Sequence, residues 1–471
     1  MTIFELIAVL LVLTSVFGWI NHRFIRLPHS IGVLLIGLVT SMLLLALELY
    51  FSNMTLYREL TRLVQQVDFQ QTVLQGMLGF LLFAGALHVD FSKLRSRAAS
   101  VGLMATLGVL ISTGVVGLGL WWLAPVLGGD LPLVWALTFG ALISPTDPVA
   151  VLNMLKEIRV PKILEIDMAG ESLFNDGVGV VVFAALLAIA LTSEGNGIDL
   201  IRIVELFFYE ALGGAVLGLA IGYIAYRGMR AIDDFPIEIL ISLALVTGTY
   251  AVATRLHMSG PISVVVAGLL LGNRGPRDAM SDQTQNYLFG FWTVIDEILN
   301  SVLFLLIGLE VVVLRFDPSF AWLMALAIPL VLAGRALAVC VPVLLLRRRY
   351  PSAPGTAPVL IWGGLRGGIS VALALSIPET DGKALLLAMT YTVVVFTIVV
   401  QGLSLSAVVR RVVKRPDIAD DYDSPEQSLG WLPHSSRNEK LGQSGLGKPQ
   451  RRRSRESSVA PRFRDNRDSN D

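Results

Sequence analysis

Apolar residues dominate this chain in thirteen stretches separated by short polar breaks. They lie near residues 3–20, 29–50, 72–89, 99–124, 133–155, 163–191, 203–226, 236–254, 259–273, 287–314, 320–346, 356–378 and 383–409. Most approach the ~20 residues that carry a helix through a bilayer. The pattern predicts an all-α polytopic membrane protein with about 13 transmembrane helices. The segment from Ser52 to Phe69 mixes polar and apolar residues and is expected at the membrane interface or in a loop.

Basic residues fall unevenly between these stretches. The odd-numbered connections, with the flank after the last stretch, hold nineteen Lys and Arg, against six in the even-numbered ones. The positive-inside rule then places the N-terminus outside and the C-terminus in the cytoplasm of a cell (inner) membrane. The first stretch carries Glu5, has no basic residues ahead of it and lacks a small-residue cleavage site, so it reads as a helix rather than a cleaved leader.

Composition agrees with this picture. The chain is 54% hydrophobic and 16% charged, with mean hydropathy +0.67, where a soluble domain carries about 25% charged residues. Its single cysteine, Cys340, excludes an intrachain disulfide, and five scattered histidines suggest no zinc site. After Arg415 the apolar runs end. Residues 1–415 are expected to form the transmembrane domain, and residues 416–471 a disordered cytoplasmic tail. Gly214, Gly218 and Gly222, four apart, predict a close helix–helix contact, read here as a contact within the chain.

Two stretches are interrupted. In the fifth, Ser144-Pro145-Thr146-Asp147-Pro148 places two prolines around an aspartate. Each proline lacks an N–H and disfavours helix at the residue before it, so the helix should break there. Asp147 lies fourteen residues after Leu133, about 21 Å into the span at 1.5 Å per residue. In the twelfth, Gly363-Gly364-Leu365-Arg366-Gly367-Gly368 predicts a second break. Each interrupted stretch is the middle member of a group of three. Paired broken helices at corresponding places predict inverted repeats with crossing, unwound segments and a binding site between them.

The sixth stretch carries Gly170-Glu171-Ser172-Leu173-Phe174-Asn175-Asp176-Gly177. A carboxylate at membrane depth costs at least ~2.5 kcal/mol, so Asp147 and Asp176 mark a functional site. Ser172 and Asp176 are four apart and share a helix face, whereas Glu171 points elsewhere. Two intramembrane arginines, Arg335 and Arg366, need partners or water. Glu171 is expected to pair with Arg335, leaving Asp176 without a permanent cation, while Arg366 organises the glycine-rich break. Burial favours the protonated form of a carboxyl group, and the ionised form is a hard oxygen ligand for Na⁺ or Li⁺. One carboxylate cannot hold both, so alternating access to it yields exchange of a cation for a proton. With a single carrier, that exchange is one for one.

At these residues the chain resembles the monovalent cation:proton antiporter superfamily, in its NhaP-type sodium/proton antiporter and sodium/proton exchanger branch. The matching strings are Ser144 to Ala150, Gly170 to Gly177 and Gly364 to Gly367. The resemblance implies a homodimer with a mobile core, here about residues 99–191 and 320–409, and a remainder serving dimerisation and scaffold. It implies that Asp176 binds the ion and the proton, with Asp147, Thr146, Ser172 and Asn175 at or beside the site. Transported Na⁺ would sit on Asp176, Ser172 and Thr146, with Glu171 and Arg335 as a structural ion pair and Arg366, Pro145 and Pro148 organising the site. Asn175 ahead of the aspartate resembles the electroneutral branch. The implied role is pH and sodium homeostasis, with no cofactor, no nucleic acid, and only ions, protons and membrane lipid as further partners. One departure stands out: Leu81-Leu82-Phe83-Ala84-Gly85 carries no acid, where many members have one after a Leu-Phe string, and the nearest is Asp90.

K⁺/H⁺ exchange on the same scaffold is the alternative transport reading. An intramembrane aspartyl protease is the remote one, because two aspartates could share a proton. Asp176 lacks the Gly-x-Gly-Asp setting those proteases use, and the arginines would then have no role.

Overall fold

In the computed structural model the described residues are 3–50, 76–147, 162–192, 200–311, 318–348, 355–380 and 382–413, with single positions at 73, 151–152, 155, 158 and 160. The Ser52–Phe69 segment and the 416–471 tail lie outside them. Among the described residues every regular element is helical, and nine helices are long and apolar enough to cross a membrane. Helical structure occurs in each of the thirteen apolar stretches.

The elements that matter for the site are α1 (Ile3–Ile20), α2 (His29–Tyr50), α3 (Leu78–Leu87), α4 (Phe91–Ser96), α5 (Ala98–Leu123), α6 (Leu133–Leu142) and α7 (Lys162–Thr192). They are followed by α8 (Leu200–Met229), α9 (Phe235–Arg255), α10 (Gly260–Asp278), α11 (Asp282–Glu310) and α12 (Ala321–Leu346). The last four are α13 (Thr356–Trp362), α14 (Gly368–Leu375), α15 (Lys383–Phe396) and α16 (Gly402–Val412).

Local signals set several of these boundaries. The Ser259 and Ser281 side chains accept hydrogen bonds from the backbone N–H of Ile262 and Thr284, capping the starts of α10 and α11. α15 and α16 are joined by a π-helical turn, Thr397–Gln401, so the last apolar stretch stays helical but is locally underwound.

Close packing follows small residues. α5 lies along α12, where a Cβ on Gly108 would stand 3.2 Å from the Ala338 carbonyl oxygen. The glycine row of α8 rests on α10: a Cβ on Gly214 would stand 2.7 Å from the Ser259 carbonyl oxygen, and Gly218 abuts the Ser263 backbone. The row is thus a contact within the chain, made where two backbones approach too closely for a side chain.

Buried apolar side chains form two clusters. One joins α5, α6, α7 and α12 to α16 with α1 and α2. The other joins α3, α9 and α10. α11 belongs to both, contributing Leu288 and Trp292 to the second and residues 302–307 to the first.

Candidate functional site

α6 stops at Leu142, and Ser144 to Asp147 run without helical structure. Pro148 lies outside the described residues. Its counterpart is the gap between α13 and α14, where Gly363 to Gly367 are non-helical. The two unwound segments cross and bond to each other. The Asp147 N–H donates to the Leu365 carbonyl at 2.8 Å. The Arg366 Nη1 donates to the Ser144 carbonyl and, at 3.1 Å, to the Pro145 carbonyl. The Arg366 N–H in turn donates to Thr397 Oγ1 at 3.1 Å. These bonds satisfy backbone groups that a broken helix leaves without partners at membrane depth.

Glycine is needed at this crossing for space. A Cβ on Gly367 would lie 2.6 Å from Asp147 Oδ2, and one on Gly364 would collide with Arg335 Nε. A Cβ on Gly179 of α7 would lie 2.5 Å from Pro145 Cγ.

α7 passes the crossing unbroken and presents two polar rows. The first is Ser172 and Asp176. Ser172 Oγ donates to the Thr146 carbonyl, and Asp176 is only 7% exposed. Among the described residues no hydrogen bond or ion pair holds the Asp176 carboxylate. The second row, one residue out of phase, is Asp167, Glu171 and Asn175. Arg335 donates from Nη1 and Nη2 to the two Glu171 carboxylate oxygens, and from Nε and Nη2 to the Leu360 carbonyl at 3.1 and 2.8 Å. Arg97, just before α5, grips Asp167 through Nε at 2.9 Å and Nη2 at 2.6 Å. All four charged side chains are buried. Such pairs hold only when both members are present, because either charge alone would remain uncompensated in a low-dielectric setting.

A cavity of about 1520 Å³ reaches the crossing, where Thr146, Asp147, Ser172, Asp176, Gly367 and Ser370 line it. Its other end is lined by His22, Arg23, Arg26, His88, Asp90 and Glu165. Carboxylate and hydroxyl side chains thus line the cavity at the crossing, the oxygen chemistry that suits a hard cation. Among the described residues no group of three or more His, Cys, Asp or Glu is arranged to hold a resident metal ion. Asn175 does not line this cavity. Its Nδ2 donates to Thr146 Oγ1 at 2.8 Å, so it supports the site from behind.

Residues 11–411 match the family described as sodium/hydrogen exchanger, transmembrane. The chain belongs to the sodium/hydrogen exchanger family. The Na(+)/H(+) antiporter NhaP of Pseudomonas aeruginosa is 46% identical over 418 residues, covering 87% of this chain and 96% of the relative. The Na(+)/H(+) antiporter NhaH of Halobacillus aidingensis is 35% identical over 393 residues, covering 83% and 93%. The solved structure of the sodium proton antiporter MjNhaP1 from Methanocaldococcus jannaschii at pH 8 superposes with a TM-score of 0.67 at 19% identity, covering 88% of this chain and 99% of that one. It establishes the shared antiporter fold, a multi-pass all-helical membrane architecture.

Two features of this exchanger escape a reading of its sequence. Asp296 and Glu297 of α11 line the cavity, although both lie in an apolar stretch and could have been flagged as intramembrane acids. The Arg97–Asp167 pair carries no such flag, because Arg97 sits at a span boundary where basic residues are expected in solvent.

Proposed function

We propose that this member of the exchanger family is a secondary active transporter that exchanges Na⁺, and also Li⁺, for a proton by alternating access, one for one. The observation that carries this reading is the Asp176 carboxylate: buried, at the end of a solute-sized cavity, beside Ser172 and Thr146, with no cation held against it among the described residues. A group in that setting exchanges one positive charge for another. Asp176 carries both, Ser172 and Thr146 complete the Na⁺ shell, and Asp147 sets the local charge. Glu171 with Arg335 is scaffold, and Arg366 with Pro145 and Pro148 holds the crossing open. The role is pH and sodium homeostasis, with no resident cofactor.

The same reading places the protein in the inner membrane as a lipid-embedded homodimer, N-terminus outside. The core about 99–191 and 320–409 moves against the rest. In this orientation the part of the cavity lined by His22, Arg23, Arg26 and Asp90 faces the cytoplasm. The relatives named as Na⁺/H⁺ antiporters argue against K⁺ as the main cargo.

The test is an everted-vesicle assay in which an imposed pH gradient is challenged with Na⁺, Li⁺ and K⁺ in turn. Na⁺ and Li⁺ should collapse the gradient at low millimolar levels. Collapse by K⁺ alone would replace the reading with K⁺/H⁺ exchange.

A further inference from the structure

Behind the second polar row of α7 lies another, much smaller cavity, with a water-accessible volume of about 10 Å³. Met104, Ser112, Ser144, Glu171, Asn175, Arg335 and Arg366 contribute to its wall, and all are buried. Five of their polar atoms have no hydrogen-bond partner among the described residues: Ser112 Oγ, Ser144 Oγ, Asn175 Oδ1, Arg366 Nε and Arg366 Nη2. A buried polar atom left unsatisfied costs about 1–3 kcal/mol, so five around one void need an explanation.

The space matches a single small molecule, since a water centre needs roughly 10–15 Å³ of such volume. The chemistry of the wall decides which. The guanidinium N–H groups only donate, the Asn175 oxygen only accepts, and the two hydroxyls do either. A cation would face two guanidinium groups against one carboxylate, Glu171, which Arg335 already holds. An anion would face the Asn175 oxygen and exceed the space. The Asn175 Nδ2 already donates to Thr146 Oγ1 at 2.8 Å, so the free end of the amide is its oxygen. We propose that this cavity is a binding site for one structural water, which accepts from Arg366 and donates to Asn175 Oδ1.

The bound water gives Asn175 a defined job. It fixes the amide oxygen toward Arg366, which keeps Nδ2 on Thr146 Oγ1. Asn175 is therefore a positioning residue, joined through water to the arginine that spans the crossing. The assignment rests on packing and donor–acceptor matching alone, so it stands or falls independently of which ion is carried.

X-ray radiolytic labelling of the purified full-length protein tests it, because a bound water is split into hydroxyl radical where it sits. Met104 lines the cavity, whereas Met389 is equally buried within the apolar cluster. Met104 should be oxidised several-fold faster than Met389, and Ser112→Val should bring it down to the Met389 rate. Equal rates in the unaltered protein would overturn the proposal, as would fast Met104 oxidation persisting in the variant. Should Ser112→Val not fold, a density map that resolves other buried waters decides: a peak within bonding distance of Arg366 Nη2 and Asn175 Oδ1 is expected, and an empty site overturns it.

Discussion

The backbone N–H of Asp147 donates to the carbonyl of Leu365 across 2.8 Å, joining two residues more than two hundred positions apart at the point where both helices are unwound. The bond holds the Asp147 carboxylate against Gly367, with 2.6 Å between its Oδ2 and the place a Cβ would occupy. The crossing is therefore sensitive to a single methyl group.

Gly367→Ala should disrupt transport through that contact. Overpacking of this kind costs about 1–3 kcal/mol, and here the displaced group is itself part of the site. Thermal unfolding in detergent should show a lowered midpoint, and Na⁺-driven proton movement should fall at least several-fold. Gly102→Ala is the matched control, since a Cβ there meets nothing within 4 Å. An equal loss in both variants would remove the crossing as the cause.

Asp176→Asn should abolish exchange while leaving the amount of folded protein unchanged, because no partner among the described residues depends on its charge. In the unaltered protein, competition for one carboxylate predicts that the apparent KM for Na⁺ rises as pH falls, approaching about tenfold per pH unit when the protonated form dominates. A pH-independent KM would argue for separate ion and proton sites.

Removing Glu171 or Arg335 singly leaves its partner charged and buried. The cost should be roughly 3–5 kcal/mol, whereas replacing both with apolar residues of similar volume should recover much of it. Glu171→Leu, Arg335→Met and the double variant, compared by thermal unfolding, form the cycle. Additive losses would mean that the pair is not the stabilising contact.

One-for-one exchange moves no net charge. A net charge would couple to an imposed potential by about 2.3 kcal/mol per 100 mV. Exchange rates in vesicles should stay the same when a potassium diffusion potential of either sign is applied, and a rate that follows the potential would exclude the electroneutral cycle.

Much of this arrangement is legible in the sequence because it rests on local chemistry. The apolar stretch expected at 163–191 is the Lys162–Thr192 helix, and the breaks fall at Pro145 and at Gly363 to Gly367, where the backbone cannot continue a helix. Helical periodicity also separates Glu171 from Ser172 and Asp176. What local chemistry does not contain is the choice of distant partner. Asn175 adjoins the carboxylate in sequence, yet its amide bonds Thr146, twenty-nine positions away, rather than lining the large cavity. Arg97 reads as a solvent-facing basic residue until Asp167 is brought against it. The α11 acids reach the cavity only through the packing of α11 beside α3 and α14.

The two rows of α7 are offset by one residue, about 100° around the helix axis. One row, Asp167, Glu171 and Asn175, is committed to the protein's own groups. The other, Ser172 and Asp176, lines the cavity. Lengthening or shortening the chain by a single residue between positions 167 and 176 would turn everything after it by that same angle. The solute-facing carboxylate would swing toward the fixed charges or into lipid. This segment should therefore accept changes of residue far more readily than any change of length, and gene-level insertions or deletions there should be null even where the surrounding loops absorb them freely.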